Sequence, residues 1–170
     1  IGISNAELTV DPTLLLSKEK WMKLIPEKIL SEKYIFSYFL GNNNDSKRLM
    51  KKFSKKIELK IVSISIESGN IKFEDQRNSN LILDNVDPFD FVSLIKNAEY
   101  VFTDSFHATL FSGIFCKQFI VFKREKDDKM SSRIINILEL YGQSERFCID
   151  PKRMNIDETI RILSNNYNPF

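Results

Sequence analysis

"AEYVFTDSFHATLFSGIFCKQFIVFK" occupies residues 98–123. Its first part, "EYVFTD", is rich in β-branched and aromatic residues and reads as a strand. "SFHATLFSGIF" reads as a helix, and "KQFIVFK" as another strand. Two apolar strands joined by a helix-length crossover run parallel, because a short turn only reverses the chain. Strands that are apolar on both faces belong in a sheet covered by helices on both sides.

The same alternation extends outward in both directions. "KYIFSYFLG" (residues 33–41) reads as a buried strand stopped by Gly41 and three asparagines. In "DSKRLMKKFSKKI", Asp45 or Ser46 caps a helix, with Leu49, Met50 and Phe53 as its apolar stripe and the basic residues of the run 47–56 on the opposite, solvated face. "LKIVSISIE" (residues 59–67) is a second strand, and the polar stretch 68–80 reads as an outward loop. "NLILDNVDPFDFVSLIKNA" predicts a short strand, then a helix with Asp87 as cap, Pro88 at its first position, and Phe91, Leu94, Ile95 and Ala98 facing inward.

Beyond residue 123, "REKDDKMSS" reads as a charged loop in which Ser131 or Ser132 caps a helix beginning at Arg133, with Ile134, Ile135, Leu138 and Tyr141 on one face. "RFCI" is a short strand, and "NIDETIRIL" is a helix with Asn155 as cap and Glu158 three residues on. Before the first strand, "SKEKWMKLIPEKILSEK" predicts a leading helix that Pro26 kinks or divides. The expected fold is α/β, a Rossmann-like doubly wound parallel sheet, with residues 1–32 as linker and leading helix and residues 33–170 as the domain.

Composition narrows the function. The chain has 170 residues, 42% hydrophobic and 28% charged, which suits one globular domain without a long disordered tract. A net charge of +2 is too small to imply nucleic acid. No segment reaches the roughly 20 apolar residues of a membrane span, and no signal pattern opens the chain, so the expectation is a cytoplasmic protein. Cys116 and Cys148 stand in apolar surroundings without CxxC pairing, as reduced buried thiols do. There is no P-loop, GxGxxG, GxSxG or metal-ligand cluster, and no cofactor is expected.

Chemistry is expected where strands end and helices begin, because ligands of open parallel sheets bind at the carboxyl ends of strands. His107, the sole histidine, falls at such a joint, together with Asp104 and Ser105. Unpaired N–H groups and the helix dipole favour an anion there. Asp104 or Ser105 equally serves as a plain helix cap. The neighbouring loop brings Lys123, Arg124, Lys129 and Arg133 to the same rim, where they can supply positive charge.

Three stretches, "VDPTLLLSKEKW", "YVFTDSFHATLFSGIFCKQFIVFKR" and "MSSRIINILELYG", together resemble the second half of the polysaccharide pyruvyl transferase family. The resemblance implies one of two facing Rossmann-like domains in the GT-B arrangement, with "DPTLLL" marking the passage from an amino-terminal domain. It implies transfer of a pyruvyl group from phosphoenolpyruvate to a sugar of a bacterial capsule, exopolysaccharide or cell-wall polymer. The chain would then be the donor-binding half, with the acceptor across the cleft on the other domain. An acceptor carried on a lipid would bring the protein to the inner membrane face. His107 resembles the family's active-site histidine and Arg133 its donor-holding arginine, with Asp104, Ser105, Arg124 and Ser132 around the donor. Ketal-forming members can carry a basic residue shortly before the histidine, where this chain has Ser105 and Phe106. Two alternatives stay open: a glycosyltransferase-like enzyme using a nucleotide sugar, and a non-catalytic sugar- or anion-binding module.

Overall fold

The computed structural model describes residues 10–27, 29–65, 73–124 and 128–167. A 3-10 turn, Pro12–Leu15, leads into α1 (Lys18–Leu24). The alternation follows as β1 (Tyr34–Tyr38), α2 (Asn44–Ile57), β2 (Lys60–Ile64), α3 (Phe73–Asn78), β3 (Leu81–Leu83), α4 (Pro88–Asn97), β4 (Tyr100–Thr103), α5 (Phe106–Ile114) and β5 (Gln118–Phe122). The chain continues through α6 (Asp128–Leu140), a 3-10 turn at Ser144–Arg146, β6 (Phe147–Cys148) and α7 (Ile156–Ser164).

The six strands pair in parallel in the order β3-β2-β1-β4-β5-β6. From β1 the chain winds outward to β3 and then crosses back to β4 on the other side of β1. The switch point therefore lies between β1 and β4, where Tyr38 stands opposite Thr103. This is the doubly wound arrangement expected from the alternation.

Alternate residues of each strand feed two cores. Tyr34, Phe36, Val101, Phe119 and Val121 pack with apolar residues of α4, α5 and α6. Ile35, Ile61, Phe102, Ile120 and Phe122 pack with those of α2 and α7. The stripe Leu49, Met50 and Phe53 is buried as its spacing predicts. On α6, however, Ile134, Ile137, Leu138 and Tyr141 are buried while Ile135 is exposed. Both isoleucines fit a helical period with their neighbours, and the approach of α5 selects between them.

Several local expectations are corrected. The stretch expected to loop outward contains α3, which Lys51 of α2 holds through the carbonyl of Arg77. Ser79 and Asn80 then tie its end to β2, through Ser63 and the Ile61 N–H. One phenylalanine followed by five polar residues shows no period of its own, so this helix is visible only through its partners. The leading helix ends at Leu24: Ile25, which precedes Pro26, is extended at φ −96° and ψ 148°. Trp21 packs edge-on against Phe111, 4.9 Å between ring centres, and Ile25 is buried, so this segment lies on the domain.

Asn43, in the left-handed region at φ 38°, takes the cap position of α2 in place of Asp45 or Ser46. α6 begins at Asp128, so neither Ser131 nor Ser132 caps it, and Arg133 sits within the helix. Lys47 does not share the solvated face of α2: it is 1% exposed, with its ammonium 5.8 Å from the centre of the Phe39 ring. The expected strand residues 66 and 67 and the loop residues 125–127 lie outside the described residues.

Candidate functional site

The carboxyl ends of β1 and β4 are bound to each other by side chains from the β4–α5 turn. Thr103 Oγ1 donates to the Tyr38 carbonyl at 2.6 Å and accepts from the Ser105 N–H at 3.0 Å. Asp104 is wholly buried. Its carboxylate accepts from Leu40 N–H at 2.7 Å, Gly41 N–H at 2.8 Å and Asn43 Nδ2 at 3.1 Å. Arg124, leaving β5, completes the cluster, with Nε 3.5 Å from Asp104 Oδ2 and a terminal nitrogen donating to the Asp104 carbonyl at 3.2 Å. The turn after β1 and the turn after β4 are thereby locked at the switch point. A side chain at Gly41 would begin 3.0 Å from Asp104 Oδ2 and 3.1 Å from Arg124 Cγ, so it would crowd both groups of the lock.

α5 starts from this platform. Ser105 caps it, its hydroxyl accepting from the Ala108 N–H at 3.4 Å. The first intrahelical bond runs from Thr109 N–H to the Ser105 carbonyl, which leaves the N–H groups of Phe106 and His107 without an intrahelical acceptor. His107 is exposed, whereas Phe106 beside it is buried.

Arg133 comes to the same place from α6. Its guanidinium carbon lies 4.0 Å from the centre of the Phe106 ring, a cation–π contact worth about 0.5–1 kcal/mol at an exposed position. The His107 ring is 5.6 Å from the same ring. Phe106 is thus a buried aromatic ring in contact with both the imidazole of His107 and the guanidinium of Arg133.

Asp11 completes the constellation, and the sequence reading passed it over as linker. Its Oδ2 is 3.7 Å from Arg133, and its Oδ1 accepts from the Thr13 N–H and hydroxyl at 3.0 and 2.8 Å. Burial pushes the Asp11 carboxyl up, but the two Thr13 bonds and the charges of His107 and Arg133 outweigh it and hold the group below its ordinary value. "DPT" is a legible cap signal; nothing local points to its distant partners.

Five of the six candidates therefore fall into two groups, and Ser132 stands apart. Asp104 and Arg124 form the buried lock, with the Asp104 carboxylate turned to the chain's own donors. Ser105, His107 and Arg133 gather at the amino end of α5. Ser132 is exposed next to Arg133 on α6.

Two clefts flank this rim. One, of about 610 Å³, opens beside His107 and Ser105 and is walled by Trp21, Tyr38, Phe89 and Phe91. The other, of about 540 Å³, holds Asn43, Ser46, Lys123, Arg124 and Lys152, with Asp45 and Asp150.

The parallel six-stranded sheet with helices on both faces, and the crossover between β1 and β4, define a doubly wound, Rossmann-like α/β domain. The chain belongs to the polysaccharide pyruvyl transferase family, whose model matches residues 1–127. Arg133 lies beyond the matched stretch. In fold the chain is similar to a protein assigned as a UDP-N-acetylglucosamine 2-epimerase from Listeria monocytogenes, with 13% identity and a TM-score of 0.55 over 82% of this chain and 41% of that one. It is also similar to the UDP-GlcNAc 2-epimerase from Methanocaldococcus jannaschii, with 16% identity and a TM-score of 0.51 over 90% of this chain and 45% of that one. The chain thus spans less than half the length of either structure. Among proteins of curated function, none matches it in sequence. Among the described residues no helix is long and apolar enough to cross a membrane.

Proposed function

We propose that this chain is the donor-binding half of a pyruvyltransferase, which takes phosphoenolpyruvate and transfers its three-carbon group to a saccharide of a bacterial surface polymer. The observation that carries this reading is the convergence of His107 and Arg133 on the Phe106 ring at the amino end of α5. Phosphoenolpyruvate has a phosphate and a carboxylate. The free N–H groups of Phe106 and His107 suit one anionic group, and the planar fork of Arg133 suits the other.

The chemistry needs a proton on C3 of the donor as a sugar hydroxyl adds to C2. Phosphate then leaves from C2 and a second hydroxyl closes the ketal. His107, exposed at the rim, gives a proton to C3 and recovers one from the first hydroxyl, and the proton of the second hydroxyl leaves with the phosphate. The α5 amino terminus stabilises the charge that gathers on the departing phosphate, while Arg133 holds the carboxylate. Asp104 and Arg124 act behind them by holding the β1 and β4 turns together.

The family match supports this reading over a nucleotide-sugar enzyme, and the likeness to the epimerases speaks for the fold alone. The second domain that such a reaction requires is part of the proposal. So is the expectation that this chain binds donor without turning it over.

Titration of phosphoenolpyruvate with backbone amide NMR tests it, with His107→Ala and uridine diphosphate as controls. Saturable shifts confined to residues 103–108 and 131–133, lost in His107→Ala, are expected. Shifts produced by uridine diphosphate and not by phosphoenolpyruvate would overturn the reading in favour of a nucleotide-sugar enzyme. Release of phosphate by this chain with a sugar present would overturn the half-enzyme view.

A further inference from the structure

The cleft beside His107 has a wall chemistry that the donor does not explain. Five aromatic residues line it, Trp21, Tyr38, Phe89, Phe91 and Phe111, and aliphatic side chains such as Leu40 and Val86 share the wall. Phe89 is 47% exposed, in the first turn of α4. The other aromatics are braced from behind. Tyr38 and Phe91 meet at 4.9 Å with their planes inclined at 65°. Trp21 is held at Phe111 and by its Nε1–H, which donates to the Thr13 carbonyl at 3.0 Å. The wall is preformed, so a ligand need not order it.

A small dianion gains nothing from such a wall, because burying its charges against aromatic carbon strips their water without replacement. Asp87, also in the lining, repels it further. The space, about 610 Å³, lies in the usual range of ligand pockets and exceeds what a three-carbon donor fills. Its polar groups are few: Ser65, Asp87, Ser105, His107 and the hydroxyl of Tyr38. Burial, with the charge of Asp104 added, pushes that phenol above its ordinary value despite Arg124, and so it remains a neutral hydrogen-bond donor. Aromatic faces bounded by scattered donors and acceptors fit a ligand with weakly positive C–H faces and a rim of hydroxyls.

Resting on the reading above, we infer that this cleft is a saccharide subsite: it holds a sugar ring of the acceptor against Phe89 and Tyr38, next to His107. The acceptor then contacts the same domain as the donor, where the resemblance alone places it across on the other one. Asp87 and Ser105 accept and donate to ring hydroxyls, and the stacking face orients one pair of them toward the donor carbon.

Trp21, the single tryptophan of the chain, lines the cleft and reports its occupancy. The experiment titrates the 170-residue chain with methyl β-galactoside, methyl β-glucoside, N-acetylmannosamine and uridine. It follows Trp21 emission and saturation transfer from aromatic protons to the ligand. At least one sugar is expected to bind saturably, with transfer strongest at its ring C–H protons. Phe89→Ala should weaken it about fivefold or more, and Phe89→Leu, which keeps apolar bulk without the ring, should weaken it similarly. No response to any sugar, or a response that both variants leave intact, overturns the subsite. Uridine binding in preference to every sugar overturns it in favour of a base-stacking slot. A sugar response without donor shifts at residues 103–108 sinks the donor reading and leaves the subsite standing; donor shifts without a sugar response do the reverse.

Discussion

Gly41 and Asp104, far apart in the chain, are joined by a 2.8 Å hydrogen bond from the glycine N–H to the buried carboxylate. With the Leu40 and Asn43 bonds and the Arg124 charge, the buried carboxylate of Asp104 gathers three donors of the turn after β1 and the guanidinium that follows β5. Asp104→Ala should therefore cost about 3–5 kcal/mol, since it leaves Arg124 and three donors behind. Urea unfolding measures this. A loss below about 1 kcal/mol would mean that water replaces the carboxylate.

Gly113 lies under the ring of Tyr141. A methyl group there would sit 2.0 Å from Tyr141 Cε2, and the ring is held by its hydroxyl, which donates to the Leu110 carbonyl at 3.2 Å. Gly113→Ala should destabilise the chain by about 2–3 kcal/mol through overpacking between α5 and α6. In a Tyr141→Leu background the same change should cost much less. Additive losses in that double-mutant cycle would show that the steric clash is not the cause.

Arg146 is fully buried and donates to Gln143 Oε1, Gln118 Oε1 and the carbonyls of Phe119 and Asn165, at 2.7–3.1 Å. Its guanidinium carbon also lies 4.6 Å from the centre of the Tyr167 ring. Four acceptors around one side chain suit the five N–H groups of a guanidinium and not the three of an ammonium. Arg146→Lys is expected to lower stability by about 2–4 kcal/mol, nearly as much as Arg146→Met. Retention of the wild-type melting temperature by the lysine variant would show that a point charge suffices.

The two cysteines should separate by reactivity. Burial, with smaller contributions from the Asp150 and Glu158 charges, pushes the Cys148 thiol from 9.0 up to about 12. Cys116 is half-buried. Iodoacetamide at pH 8 should label Cys116 first and reach Cys148 only on unfolding. Because the folded state keeps the Cys148 proton more tightly, its stabilising contribution is complete below pH 9 and is lost as pH rises toward 12. Cys148→Ser should lessen that alkaline loss; an unchanged slope would assign it to other groups.

Elements with local signals were legible in advance. Asp87 accepts from the Phe89 and Asp90 N–H groups, Asn155 accepts from the Glu158 N–H, and Pro26 ends the first helix. In each case the deciding contact lies within a few residues. α3 escaped because its supports belong to α2 and β2, and Lys47 was misjudged because Phe39 is what covers it.

The candidate site divides along the same line. His107 at the joint of a strand and a helix follows from chain order: apolar runs, caps and helical spacing arise among near neighbours and dictate a parallel α/β sheet with that histidine on its rim. The order of the strands, and hence the meeting of Asp104 with Gly41, of Arg133 with Asp11 and Phe106, and of Phe89 with Tyr38 across one cleft, comes from how the crossovers pack. Those contacts are enforced by the two cores on either side of the sheet, whose energy depends on all the helices at once and leaves no mark on any one segment.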